Sequence, residues 1–237
     1  MGRVITRYGQ RQLVESIDKK LYQCTGRRNI GLSVAGDEVL FQKTDDNEGV
    51  VTAIQPRINE LKRQNKLIAA NIDQLWLVVA LEPHYEFELI DRYLIMAENV
   101  NLPINIIINK IELAKNLEQV SRDFSIYKNI DYQVHFLSVK QENNLDSLKS
   151  CLRDKTHIFL GQSGVGKSSL INTLIPDLDL RVDEISTKTK LGRHTTTNTT
   201  IYHIPSGGDL IDSPGIREFQ INEFSSKQIL NGYREFK

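Results

Sequence analysis

Cysteine is nearly absent. Cys24 and Cys151 are the only thiols among 237 residues, and neither has a histidine at ligand spacing. A disulfide framework and a cysteine-based metal cluster are therefore excluded, and a reduced, cytoplasmic setting is expected. Long apolar runs are missing too, so no segment reaches the roughly 20 residues of a membrane-spanning helix. Arg3, Arg7 and Arg11 interrupt any signal-peptide core. Neither charge is in excess, with 30 basic residues against 30 acidic ones, and there is no internal repeat or low-complexity tract. What remains is an ordinary globular composition, 40% apolar and 25% charged, long enough for one large domain or two small ones.

The neutral total hides a gradient. Residues 1–67 hold twelve Lys or Arg against eight Asp or Glu, a net of +4. A basic amino-terminal part points to a polyanionic partner. Short extended runs at 2–8, 20–25, 38–42 and 49–54 alternate there with turn signals such as Tyr8-Gly9-Gln10 and Asp45-Asp46-Asn47. Four or five strands in so short a stretch predict a small β-barrel of the oligonucleotide-binding type. Tyr8, Tyr22 and Phe41 are candidates either for stacking on bases or for filling the core, and Arg27 and Arg28 sit in a candidate binding loop. Residues 56–66, polar and basic, read as the linker out of the barrel.

From residue 68 strands and helices alternate. Strands are expected at 74–81, 104–108, 133–137 and 156–160, and helices at 88–100, 117–127 and 145–153. The strands are almost wholly apolar, as a parallel sheet covered on both faces requires. This is the pattern of a doubly wound α/β domain.

Three stretches carry chemistry. Gly161, Gln162, Ser163, Gly164, Val165, Gly166, Lys167, Ser168 and Ser169 match the phosphate-loop spacing, after a strand and opening a helix. The loop wraps backbone N–H groups around an anion, which glycine backbone allows, and the helix start adds its dipole. Lys167 is expected on the outer phosphates, as a catalytic cation, and the Ser168 hydroxyl on Mg²⁺. Asn109, Lys110, Ile111 and Glu112 follow a buried strand and match a guanine-reading loop, with Glu in place of Asp. A carboxylate there accepts from guanine N1–H and the exocyclic amine, while adenine offers a lone pair instead. Asn109 would bond the other edge of the base and the Lys110 stem would cover the ring. Ser138 and Val139 fit the supporting base loop. The third stretch, Asp212-Ser213-Pro214-Gly215, follows an apolar strand, so Asp212 can reach Mg²⁺ through water and the Gly215 N–H the γ-phosphate. Thr196 is the candidate switch-loop ligand completing the Mg²⁺ shell.

The motifs occur in an unusual order, base reader first and phosphate loop second. A barrel, then Asn109–Glu112, Gly161–Ser169, Gly192–Thr197 and Asp212–Phe219, resembles the circularly permuted GTPases that depend on the small ribosomal subunit, the RsgA family, also called YjeQ or YloQ. The resemblance implies a barrel at 1–67, a permuted P-loop GTPase domain at 68–222 and a carboxyl-terminal helix at 223–237. It further implies binding of GTP and GDP with Mg²⁺, hydrolysis stimulated by the small subunit, a late role in its maturation, and contact with its rRNA. No membrane partner is expected, and the chain should be a monomer. The family's zinc module of three Cys and one His is not expected, because no Cys or His follows Phe219. Ile216 stands where many GTPases have a water-orienting Gln, so slow unaided hydrolysis is expected, with His194 the candidate for placing the water. Two other readings remain open: an RNA-binding module whose nucleotide site locks a conformation, and an ATPase or small-molecule kinase.

Overall fold

A computed structural model describes residues 1–63, 66–176, 178, 198–213 and 224–236. They fall into two compact units, the first built on Met1–Ile72 and the second on Asp73–Ile175 with the carboxyl-terminal segment.

In the first unit β1 (Gly2–Tyr8), β2 (Arg11–Ser16), β3 (Leu21–Gly26), β4 (Glu38–Asp45) and β5 (Glu48–Ile54) run in the order β1-β2-β3-β5-β4. Strand β4 also pairs with β1, closing the barrel. Val4, Val14, Tyr22, Cys24, Val39 and Val51 fill it, with Phe41 packed against them. Tyr22 therefore serves the core and not base stacking; its ring lies 5.2 Å from that of Phe41. Strand β2 has no apolar alternation to betray it, because Gln12, Glu15 and Ser16 are buried. Each is satisfied locally: Gln12 accepts from Ser33, Glu15 pairs with Lys19 and His203, and the Ser16 hydroxyl bonds Asp18. Burial is tolerated because the polar atoms are paired.

Residues 56–66 are not a plain linker. Strands β6 (Glu60–Arg63) and β7 (Lys66–Ala70) form an antiparallel hairpin. Ahead of it the Arg57 guanidinium bonds both oxygens of the fully buried Asp37, at 2.7 and 2.8 Å, and also Glu60 at 2.8 Å. The charges that made the stretch look solvated neutralise one another.

The second unit holds β8 (Gln74–Ala80), β9 (Ile104–Asn109), β10 (Val134–Phe136) and β11 (Thr156–Leu160), parallel and ordered β10-β9-β8-β11. Of Leu89, Ile90, Tyr93, Leu94 and Ala97, which helical spacing puts on one face, helix α1 (Phe87–Asn99) buries all but Leu89, which is half-buried. The expected helix at 117–127 is instead two, α2 (Leu117–Asp123) and α3 (Ser125–Asn129). They meet at Phe124, which is fully buried among Tyr85, Phe87, Tyr127 and Phe136, so packing of one ring overrides continuous helix. Then come α4 (Leu145–Leu152), α5 (Lys167–Leu174) and, in the carboxyl-terminal segment, α6 (Ser226–Asn231), opened by a Ser225–Gln228 capping box.

A polar pair lies inside the core of the sheet. The Trp76 indole N–H donates to His157 Nδ1 at 2.9 Å, and His157 Nε2–H donates to the Leu152 carbonyl at 2.9 Å. Both ring nitrogens are used, which fixes a neutral imidazole, and burial holds the His157 pKa below its ordinary value. In the first unit, strand β12 (Thr200–His203) pairs antiparallel with β1 at Thr6↔Thr200, and β13 (Asp209–Asp212) ends at Asp212 as expected.

Candidate nucleotide site

The site is assembled where parallel strands end. Register sets Ala80 of β8 opposite Asn109 of β9, and Leu160 of β11 opposite Leu77 of β8. Open parallel sheets bind ligands outside the carboxyl ends of their strands. The loops after β8, β9, β10 and β11 therefore share one edge, although the first follows Ala80 and the last Leu160.

The loop after β11 needs its glycines for stated reasons. Gly161 has φ 132°, and a Cβ there would lie 2.1 Å from the Val78 carbonyl oxygen. Gly166 has φ 95°, and a Cβ would meet the Asn109 amide nitrogen at 2.3 Å. Glycine alone suits such backbone and such close approach. Lys167 is buried, its ammonium donating to the carbonyls of Gly161 and Gln162. Ser168 and Ser169 are exposed on the first turn of α5.

Asn109 ties three loops together. It is buried; its Nδ2 donates to the Val165 carbonyl at 2.9 Å, and its Oδ1 accepts from the Val139 N–H at 3.3 Å. The sequence led us to expect direct contact of Asn109 with the base; in this structure its amide holds the phosphate loop against the loop after β10, using one of its two Nδ2 protons. Ser138, fully buried, accepts from the Gln141 N–H at 3.1 Å and so shapes that same loop. Lys110 turns the chain with left-handed backbone, φ 63°, into a short 3-10 turn, Ile111–Leu113. Its ammonium donates to the Gly164 carbonyl at 2.8 Å and to the Glu82 carbonyl.

The turn presents Glu112. One of its carboxylate oxygens, Oε2, is buried and has no hydrogen-bond partner. A buried acceptor without a donor is costly, and natural proteins rarely leave one without a purpose.

The segment after β8 was not singled out in the sequence. Glu82 receives Lys110, and Pro83 lies 3.6 Å from the position a Cβ would take on Gly164. Only the order of strands in the sheet, with β8 beside β11, makes this loop a neighbour of the site. Thr196, Gly215 and the candidate catalytic His194 lie outside the described residues.

The RsgA GTPase family model matches residues 54–222. A protein of Actinobacillus succinogenes named small ribosomal subunit biogenesis GTPase RsgA is 41% identical, over all of this chain and 71% of its own length. One of the same name from Actinobacillus pleuropneumoniae is 42% identical, over all of this chain and 72% of its own. Among solved structures, YjeQ from Thermotoga maritima superposes with a TM-score of 0.83 at 28% identity, covering all of this chain and 82% of that one. YloQ, described as a circularly permuted GTPase, gives 0.77 at 29% identity, covering 99% and 78%. The second unit is thus a circularly permuted P-loop GTPase fold behind an oligonucleotide-binding-type barrel, and the chain belongs to the RsgA GTPase family.

Proposed function

We propose that this chain binds GTP at the carboxyl edge of its parallel sheet and hydrolyses it to GDP and phosphate in the service of small ribosomal subunit biogenesis, the role named for its relatives. The observation that carries the base assignment is the unpartnered buried oxygen of Glu112. Guanine supplies two adjacent N–H donors for a carboxylate, and adenine supplies none in that position.

The remaining roles follow from the donors present. Backbone N–H groups between Gly161 and Ser168 cradle the phosphates, helped by the start of α5. Lys167 leaves its two carbonyl partners for the outer phosphates, where it balances charge in the transition state. Ser168, Asp212 and Thr196 are assigned to Mg²⁺ on their chemistry alone, each offering the oxygen donor that this ion takes; when bound it would neutralise phosphate charge. The Gly215 N–H is assigned to the γ-phosphate. Ile216 has no group to orient water, so that task goes to His194, and unaided turnover should be of the order of 10⁻⁴ per second, as in an unassisted GTPase. The +4 charge of residues 1–67 suits contact with rRNA, with exposed Arg27 and Arg28 as the candidate cations.

The test is phosphate release from GTP with and without purified small subunits, and from ATP in parallel. We expect GTP to be preferred more than tenfold, in keeping with about 1–3 kcal/mol for one unpaired acceptor, and turnover to rise when subunits are added. Unchanged turnover beside intact RNA binding would instead support a conformational lock, and an ATP preference would overturn the base assignment.

A further inference from the structure

A chain of hydroxyl groups runs through the first unit, from the barrel to the segment that carries Asp212. It starts at Thr6 on β1. The pairing of β1 with β2 shifts register between Val4 and Thr6, so Ile5 is an extra residue and Val4, Ile5 and Thr6 are all buried. A bulge of this kind re-aims a side chain. On its other edge β1 changes partner, from β4 at Gly2 and Arg3 to β12 at Thr6.

The Thr6 hydroxyl donates to the Thr199 carbonyl at 3.0 Å and accepts from the Thr200 hydroxyl at 3.0 Å. One side chain thus holds two successive residues where β12 begins. The Thr199 hydroxyl in turn donates to that of Ser213 at 3.0 Å. Thr6, Thr200 and Ser213 are buried. The buried Tyr202 phenol, two residues along β12, feels both the Thr200 hydroxyl and the Asp212 charge.

Packing alone does not call for hydroxyls here, because a buried hydroxyl must find a partner and a methyl need not. What hydroxyls add is direction: each bond fixes the next group at a set distance and angle. Ser213 follows Asp212 in the chain, so whatever fixes Ser213 also fixes the backbone on which Asp212 is carried. Misplacing a group by about 1 Å can cost about a hundredfold in rate.

We infer that Thr6, a barrel residue, is a positioning residue for GTP hydrolysis: it sets Thr199 and Thr200, Thr199 sets Ser213, and Ser213 holds the backbone of Asp212. This rests on the assignment of Asp212 to Mg²⁺ made above. It gives the barrel a part in turnover that needs no RNA.

The whole chain is compared with Thr6→Val, which keeps the shape and loses the hydroxyl, and with Thr6→Ser, which keeps the hydroxyl. Two quantities are read: single-turnover GTP hydrolysis, and the affinity of Mn²⁺ for the GDP complex by electron paramagnetic resonance. Thr6→Val should lower kcat about tenfold and leave KM for GTP within about twofold, since the phosphate loop and Glu112 are untouched. It should weaken Mn²⁺ about threefold, less than the roughly tenfold lost with a group that touches a metal ligand directly. Thr6→Ser should restore both. Ser213→Ala should give the same losses, and the double variant should be no worse than either single one, because the chain is already broken. Unchanged kcat and Mn²⁺ affinity in Thr6→Val, a Thr6→Ser as impaired as Thr6→Val, or losses that multiply in the double variant would overturn the inference. Should Thr6→Val fail to fold, Ser213→Ala decides by the same two quantities, and normal values in it overturn the inference. A wild-type chain that releases no phosphate would instead sink the hydrolysis reading itself.

Discussion

The buried Oε2 of half-buried Glu112 and the buried His157 imidazole differ in whether the protein satisfies them. Glu112 keeps one oxygen without a donor, so replacing it removes a cost in the free protein and a contact in the complex. Glu112→Ala should leave the chain folded and narrow the GTP-over-ATP preference by about 1–3 kcal/mol, roughly five- to 150-fold, chiefly through weaker GTP. Competitive displacement of a fluorescent guanine nucleotide reads this directly; an unchanged preference would remove Glu112 from the base site. His157 is fully paired, and its consequence is a pH dependence. Its pKa and that of His135 are lowered in the folded chain, by burial in both cases. As pH falls, the unfolded chain takes these protons first. Stability is therefore whole above the ordinary histidine value of 6.5 and is lost below it, until the folded values are reached. Urea midpoints should fall from pH 7 to about pH 5.5, by at most about 1.4 kcal/mol per pH unit for each imidazole. His157→Gln should flatten that slope; an equal slope in the variant would show that other groups set it.

At the scale of elements, the Asp37–Arg57 pair decides whether the stretch after the barrel is structure or tether. Asp37 is fully buried, and Arg57 reaches it from just ahead of the β6–β7 hairpin. Removing one partner of a buried ion pair leaves a charge uncompensated, at a cost of about 3–5 kcal/mol. Arg57→Ala should lower stability by that order, and amide exchange should rise in the hairpin at 60–63 and 66–70. A loss under about 1 kcal/mol, the worth of a surface pair, would make the stretch a linker after all. This pairing also shows where sequence reading stops. Arg57 is one basic residue among several in a polar run, and its partner lies twenty positions away. Strands β8, β9 and β11 were legible because burial on both faces leaves an unbroken apolar run. Strand β2 was not, because Gln12, Glu15 and Ser16 are buried and paired beside Leu13 and Val14, which erases the apolar alternation. The break at Phe124 was hidden for a related reason: residues 117–127 keep helical spacing, and only the aromatic neighbours make one ring worth more than continuity.

At the scale of the whole molecule, permutation moves the ends of the chain but leaves the site to the sheet. The phosphate loop and the base reader were legible as words, since each needs residue types that few other structures demand together. The tie between them was not legible: Asn109 spans 56 residues to Val165, and the Glu82–Pro83 loop joins them only because β8 lies beside β11. This arrangement makes a sharp thermodynamic prediction. The only tryptophan, Trp76, is buried in the nucleotide unit on the strand between those of the two loops. Its fluorescence therefore reports unfolding of that unit. A ligand that binds only the folded form stabilises by RT ln(1 + [L]/Kd), about 2.7 kcal/mol at a hundredfold excess over Kd. GDP with Mg²⁺ should raise the Trp76 urea midpoint by that amount. ADP at the same concentration should give little, because it lacks the donors that Glu112 selects. Equal shifts by ADP and GDP would mean that the phosphate loop binds without help from the base reader, and no shift by either would mean that the ordered loops do not form a nucleotide site at all.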